Sequence, residues 1–456
     1  MNRRICFFLL TSLVALNLTY SQEAVRKSVA VTVYNTNLGV VKDLRSFDIT
    51  KGTSTISLTD VAEFIDPTSV HIKFNGEALE QNYKYDLVSL DKILQKYIDK
   101  NVQLIGEKDE LLEGKLLSSR GNQIVLQKKD GGLLMLPSTA KYRISVNSLP
   151  DELITRPTLV WLINSPSSGK QDVEVSYQTA GLNWHAEYVA VLNKDDSKMD
   201  INSWVSVENN SGATYKDAKL KLVAGDVNIV KPRGDNYGVD YSLLEVSSTK
   251  KMAKGFVENP FFEYHIYELQ NPTTIAQAET KQISLFEAAN IKVNKKYIYK
   301  SGNASGQPQK ISVMVEFENK EENNLGIPMP KGKVRIYKAD GKSLEFAGED
   351  MVDHTPKNEK VKLKIGDAFD VTAEEIQTDN KQITSKVSEQ SYKITLKNRK
   401  DENIVVDVER NLGQFWEITD ASSEYVKKDS QNITFKIPVK KDSEAVITFT
   451  VKYSYQ

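Results

Sequence analysis

Short alternations of apolar and polar residues run through most of the chain. Residues 29–34 (VAVTVY) are followed by an Asn-Leu-Gly turn and by 40–44, and the series continues at 47–50 and 55–58. Residues 70–74 alternate and end at Asn75-Gly76, a pair whose tolerance of left-handed backbone favours a tight hairpin turn. A period of two places successive side chains on opposite faces, so each run predicts a half-buried strand. One segment breaks the pattern: residues 91–98 (DKILQKYI) put Ile93, Leu94, Tyr97 and Ile98 on one side of a short helix.

Glycines then punctuate five short runs of near-even spacing: 102–105, 111–117, 123–127, 133–136 and 142–146. They predict a small SH3-like β-barrel over 99–149. These glycines mark turns; none falls in the spacing of a phosphate-binding loop. After Pro150 the alternation resumes at 158–163, 173–177, 186–192, 201–207 and 220–224. Residues 231–275 are rich in Gly, Asn, Ser, Lys and Tyr and read as a long loop or an ordered insertion. Strand patterns return at 283–286, 296–299, 311–318, 333–337 and 361–365, and again through 376–395 and 404–453. The expected fold is mostly β: antiparallel, immunoglobulin-like β-sandwiches in several domains, together with the small barrel. The expected division is 22–98 for an N-terminal sandwich, 99–149 for the barrel, 150–375 for a central sandwich carrying the 231–275 insertion, and 376–456 for a C-terminal β unit.

The first residues point to export. Arg3 and Arg4 precede a mainly apolar run over 5–18, and small residues at 19 and 21 precede Gln22. That is the pattern of a secretory signal peptide, 1–21, cleaved after Ser21. The run is shorter than the roughly 20 residues a spanning helix needs. Cys6, in this leader, is the single cysteine, which removes disulfides and thiolate chemistry from the mature chain. At 456 residues, 40% hydrophobic and 27% charged with a net charge of -1, the chain is that of a folded multi-domain protein with no basic field for nucleic acid. No later segment has the composition of a membrane span.

Chemistry-bearing clusters are few. The four histidines include no pair at metal-ligand spacing. The densest cluster is Glu349-Asp350-Met351-Val352-Asp353-His354, where three carboxylates and an imidazole offer cation binding or acid–base chemistry, or simply satisfy turn amides. The aromatic run Phe261, Phe262, Tyr264 and Tyr267, with Trp184, offers either a groove for glycan or protein or an anchor for the insertion. No Gly-x-Ser-x-Gly motif is present, and no catalytic set, cofactor or metal is assigned.

Several longer segments resemble a known family. These are 173–192 (VEVSYQTAGLNWHAEYVAVL), 204–228 with its Asn-Asn-Ser-Gly turn, and 264–286 (YHIYELQNPTTIAQAETKQISLF). To them are added 326–370, with GIPMPKGKVRIY, GEDMVDHTP and GDAFDV, and Phe415-Trp416-Glu417-Ile418. Together they are similar to the bacterial mucoidy inhibitor A-like family, whose shared region is called domain of unknown function 4139. The resemblance covers residues 150–456, and the NTNLGVV opening is similar too. It implies a β fold and, in many members, an exported location; it implies no reaction. Many relatives carry a long N-terminal coiled coil, whereas this chain has no sustained heptads before residue 150. The functional expectation is a non-enzymatic protein of the periplasm or outer cell surface that binds another envelope protein or a surface polysaccharide. The alternative is a metal-assisted hydrolase of glycan or peptide at a domain junction.

Overall fold

Strict alternation sets the layers. In Leu182–Leu192 every second residue is buried, so Leu182, Trp184, Ala186, Tyr188, Ala190 and Leu192 face one core while the residues between them face outward. Gly39–Ile49 repeats the pattern. Each large apolar side chain taken fully out of water contributes about 1.5–3 kcal/mol. The computed structural model describes residues 24–454 apart from 151–152, 226, 228–249, 252–254, 262–263 and 342. The expected leader 1–21 and most of 231–254 lie outside the described residues.

Among the described residues the chain is almost entirely strand, in mixed and antiparallel sheets. The first sheet joins Val25–Tyr34, Gly39–Ile49, Gly169–Thr179 and Tyr215–Ala224. A three-stranded sheet (Gly52–Leu58, Thr158–Ser165, Glu77–Lys84) and a five-stranded sheet cover the same core. The five-stranded sheet runs in the order Glu279–Lys292, Lys198–Asn209, Leu182–Leu192, Gly332–Asp340, Ser343–Val352. Trp161 and Trp184 lie at the centre of this core.

Three expectations are corrected here, and one open alternative is decided. The division between 22–98 and 150–375 does not separate sheets, because Val25–Tyr34 pairs with Tyr215–Ala224 and Gly39–Ile49 with Gly169–Thr179. The pairing is not wholly antiparallel: Val25–Tyr34 with Tyr215–Ala224, Leu182–Leu192 with Gly332–Asp340, and Asn294–Ser301 with Ile404–Asn411 are parallel. Of the two readings of 231–275, the described second half is an ordered insertion: Phe256–Phe261 and Tyr264–Leu269 extend the first sheet beyond Tyr215–Ala224. The C-terminal sheet begins not at 376 but at Asn294. Its nine strands start with Trp416–Ala421 and end with Tyr425–Lys427, which are consecutive in the chain. A short link can join opposite ends of the strand order only if the sheet curls back on itself, and the curl encloses a second core around Phe435 and Phe449.

Residues 101–145 form a separate five-stranded sheet whose strands fall on the expected runs. Its core is filled from the helix Leu90–Lys96, which supplies Leu94 and is followed by the buried Tyr97. Ser89 caps this helix by accepting the Lys92 amide at 3.3 Å. No helix of the described residues is long and apolar enough to cross a membrane.

Two strands run through both large cores. Lys360–Thr384, 25 residues long, puts Val361 and Leu363 in the first core and Val371 and Ala373 in the second. Its partner Ser305–Glu318 does the same with Phe317 and Ile311. Where Lys360–Thr384 crosses Ser343–Val352, the backbones touch: a Cβ on Gly348 would stand 1.9 Å from the Ile365 carbonyl oxygen. Gly348→Ala must therefore push the crossing apart. It is expected to cost about 1–3 kcal/mol in urea unfolding, the range for overpacking a close contact.

Candidate functional site

The acidic cluster lies where Ser343–Val352 leaves its sheet. Glu349 and Asp350 lie in a strand and not in a turn, because residues 343–352 pair with Gly332–Asp340. Only Asp353 and His354 lie in the following turn, which is bridged back to the chain by reciprocal backbone bonds of 2.9 Å between Met329 and Thr355.

Each member of the cluster has a structural partner. Glu349 meets Lys333 across the strand pair at 3.4 Å. Asp350 accepts the Met351 amide at 2.8 Å and the Lys364 amide at 2.6 Å, so it ties the crossing strand to the sheet edge. Asp353 accepts the His354 amide at 2.9 Å. His354 Nδ1 accepts the Lys331 amide at 3.2 Å. A neutral ring that accepts at Nδ1 carries its proton at Nε2. The Asn35 side-chain amide lies 3.1 Å from Nε2. His354 thus joins the first hairpin turn to the entry of Gly332–Asp340. Among the described residues, no group of three His, Cys, Asp or Glu is placed to hold a metal ion.

Among the described members of the aromatic set, Trp184 and Tyr267 lie in the core. Trp184 is 1% exposed and donates Nε1–H to the Val223 carbonyl at 3.0 Å, with Tyr267 edge-on at 6.1 Å. Tyr267 is equally buried and donates to the Pro328 carbonyl at 3.3 Å. Both are corrected from candidate binding residues to core residues, because both occupy inward positions of their strands. Tyr264 is half-buried and packs over Gly225. Phe262 and the Phe261 side chain lie outside the described residues.

Sequence reasoning missed three ionic clusters. In the first core Asp43, 1% exposed, is gripped by Arg26 at 3.0 Å and Arg45 at 2.9 Å. In the second core the wholly buried Glu375 pairs with Arg410 and accepts from Tyr299 Oη at 2.9 Å and the Gly302 amide at 3.0 Å. The Arg410 guanidinium lies 4.2 Å from the Tyr392 ring centre. Burial and the neighbouring Glu375 both push the Tyr299 phenol well up. Between the cores Asp196 binds Lys295 at 2.7 Å and Lys338 at 2.5 Å, one lysine from each sheet. The signal for the two core clusters was present: Asp43, Arg45, Glu375 and Arg410 sit at inward positions of otherwise apolar alternations.

An open cleft of about 410 Å³ lies where the two sandwiches meet, lined by Lys292, Glu316, Glu318, Lys320, Glu322 and Lys360. Burial works to raise Glu316, but Lys296 at 2.7 Å and Lys362 at 3.4 Å hold it below the usual carboxylate value. A second cleft of about 280 Å³ lies against the small sheet beside Glu107, Lys141 and Arg143. Neither cleft contains any residue of the acidic or aromatic candidate sets.

The chain matches no family model and no curated protein at a significant level. The resemblance to the mucoidy inhibitor A-like family rests on its sequence motifs alone.

Burial opposes ionisation of Asp196, yet its two lysines hold the carboxyl below its ordinary value. A depressed folded value means that stabilisation is complete above the unfolded value near pH 4 and is lost as pH falls through the folded one. Asp196→Asn is therefore expected to cost about 1–3 kcal/mol at pH 7, the range for hydrogen bonds to charged groups. The gap to the parent should narrow as pH falls below the unfolded value near 4, read by urea unfolding at a series of pH values.

Proposed function

We propose that this chain is an exported protein of the bacterial cell envelope, of the mucoidy inhibitor A-like type, that binds another envelope protein or a surface glycan without catalysing a reaction. One observation carries the reading. The residues with the most chemistry, Glu349, Asp350, Asp353 and His354, each hold a backbone amide or a lysine in place. What the molecule offers instead is sheet surface with exposed apolar side chains, among them Phe346, Leu344 and Trp204. Broad faces on a rigid β scaffold suit recognition of an extended ligand. In this reading the two large cores are immunoglobulin-like sandwiches, and residues 101–145 are an SH3-like half-barrel that widens the surface. Export rests on the leader pattern of residues 1–21.

Fractionation of cells carrying the full-length chain with a C-terminal tag tests both parts. The expected product begins at Gln22, lies outside the cytoplasm and retains an envelope protein or polysaccharide at constant stoichiometry after mild cross-linking. An uncleaved cytoplasmic product, or an exported one that holds nothing and turns over glycan or peptide, would contradict the proposal.

A further inference from the structure

The five-stranded sheet ends at Ser343–Val352. From Gly348 onward this strand lies under the crossing strand Lys360–Thr384. Before Gly348, residues 343–347 have no strand on their outer side among the described residues. An unpaired edge offers backbone donors and acceptors to any extended chain, so native folds guard such edges with charge, bulges or shortness. Several other free edges among the described residues are guarded. Gln377 to Thr384 is polar apart from Ile383, and its register shifts twice. Glu279–Lys292 is interrupted by two bulges, and Glu77–Lys84 carries Glu77, Glu80 and Lys84. Leu133–Leu136 is apolar but only four residues long and stops at Pro137.

The rim at 343–347 also carries a charge, Glu345, and a register shift beside Gly348, but here an apolar patch reaches the edge. Phe346, 58% exposed, stands edge-on to Tyr337 at 5.6 Å, and Val191 lies opposite Tyr337 on the next strand. Leu344, 55% exposed, lies opposite Ala339. The charge around the patch is one-sided. Lys333, Arg335 and Lys338 are taken by Glu349, Glu187 and Asp196, whereas Asp340 and Glu345 have no ion pair among the described residues. Among the described residues the unbalanced charge at the rim is therefore acidic, which sets two copies of this edge against each other and favours a basic partner.

We propose that residues 343–347 bind an extended peptide segment of a partner protein as an added strand of this sheet. The segment alternates apolar side chains, which pack on Leu344 and Phe346, with basic ones, which meet Asp340 and Glu345. Main-chain pairing supplies the hold and the alternation supplies the selectivity. This deepens the binding reading above by naming the class of partner, and rests on it.

The test uses the whole mature chain with two capped synthetic peptides, one alternating valine with lysine and one alternating valine with glutamate. The lysine peptide is expected to slow amide exchange at 343–347 and to bind at least tenfold more tightly than the glutamate peptide. Phe346→Lys and Glu345→Lys, both at exposed positions, should each weaken it by roughly tenfold, about 1.4 kcal/mol, with melting temperature unchanged. Protection elsewhere, equal binding of both peptides, or indifference to both variants would overturn the inference. So would a dimer of the free chain that Phe346→Lys dissociates, since the edge would then be a self-interface. These failures leave the envelope-binding reading standing, because that reading is decided by fractionation and retained partner.

Discussion

A charged side chain on the inward side of a strand must meet its opposite charge inside the core, because a lone buried ion costs several kcal/mol. This protein meets that constraint in both large cores. Asp43 and Arg45 face inward from one strand and take Arg26 from the next. Glu375 and Arg410 face each other from strands that are not neighbours in their sheet, with Tyr299 and the Gly302 amide completing the carboxylate's partners. Such pairs work only in one register, since a slip of one residue would turn each charge to the opposite face and strand its partner. They therefore select one arrangement of strands from the many that alternating apolar residues alone would accept.

From these anchors the order of the molecule extends outward. Ser305–Glu318 and Lys360–Thr384 carry the second core into the first, and Asp196 fastens a turn of the first to lysines on both sides. The acidic cluster belongs to the same framework: Asp350 and His354 tie crossing chain segments at the end of the first sandwich. Chemistry-bearing residues are thus used to fix long-range contacts, and the surface left for a partner is the sheet rim they hold in place.

The strands themselves were legible because a period of two is a local signal. The five runs of the small sheet and the helix Leu90–Lys96 fall where alternation, glycine spacing and a short apolar face placed them. Partnership was not legible. That Val25–Tyr34 lies parallel to Tyr215–Ala224, nearly two hundred residues away, is a non-local fact no window of alternation contains. The same holds for the single long strand Lys360–Thr384, whose middle at Gly366 to Asp370 breaks the alternation and reads as a boundary. Within the candidate site, the sequence located the polar cluster but not its use, since amide partners such as Lys331 and Lys364 come from other elements. Trp184 and Tyr267 were readable as core from phase alone; their aromatic chemistry drew them into the wrong class. The inward charges were readable too, as breaks in hydrophobicity that keep the strand period.

The most direct test of the constraint is the unfolding free energy of Arg410→Met, alone and with Glu375→Leu. If the buried pair fixes the second core, Arg410→Met strands Glu375 and lowers stability by about 3–5 kcal/mol, while the double replacement recovers most of that loss. A single replacement within about 0.5 kcal/mol of the parent, or a double replacement whose loss is the sum of the two singles, would contradict the account.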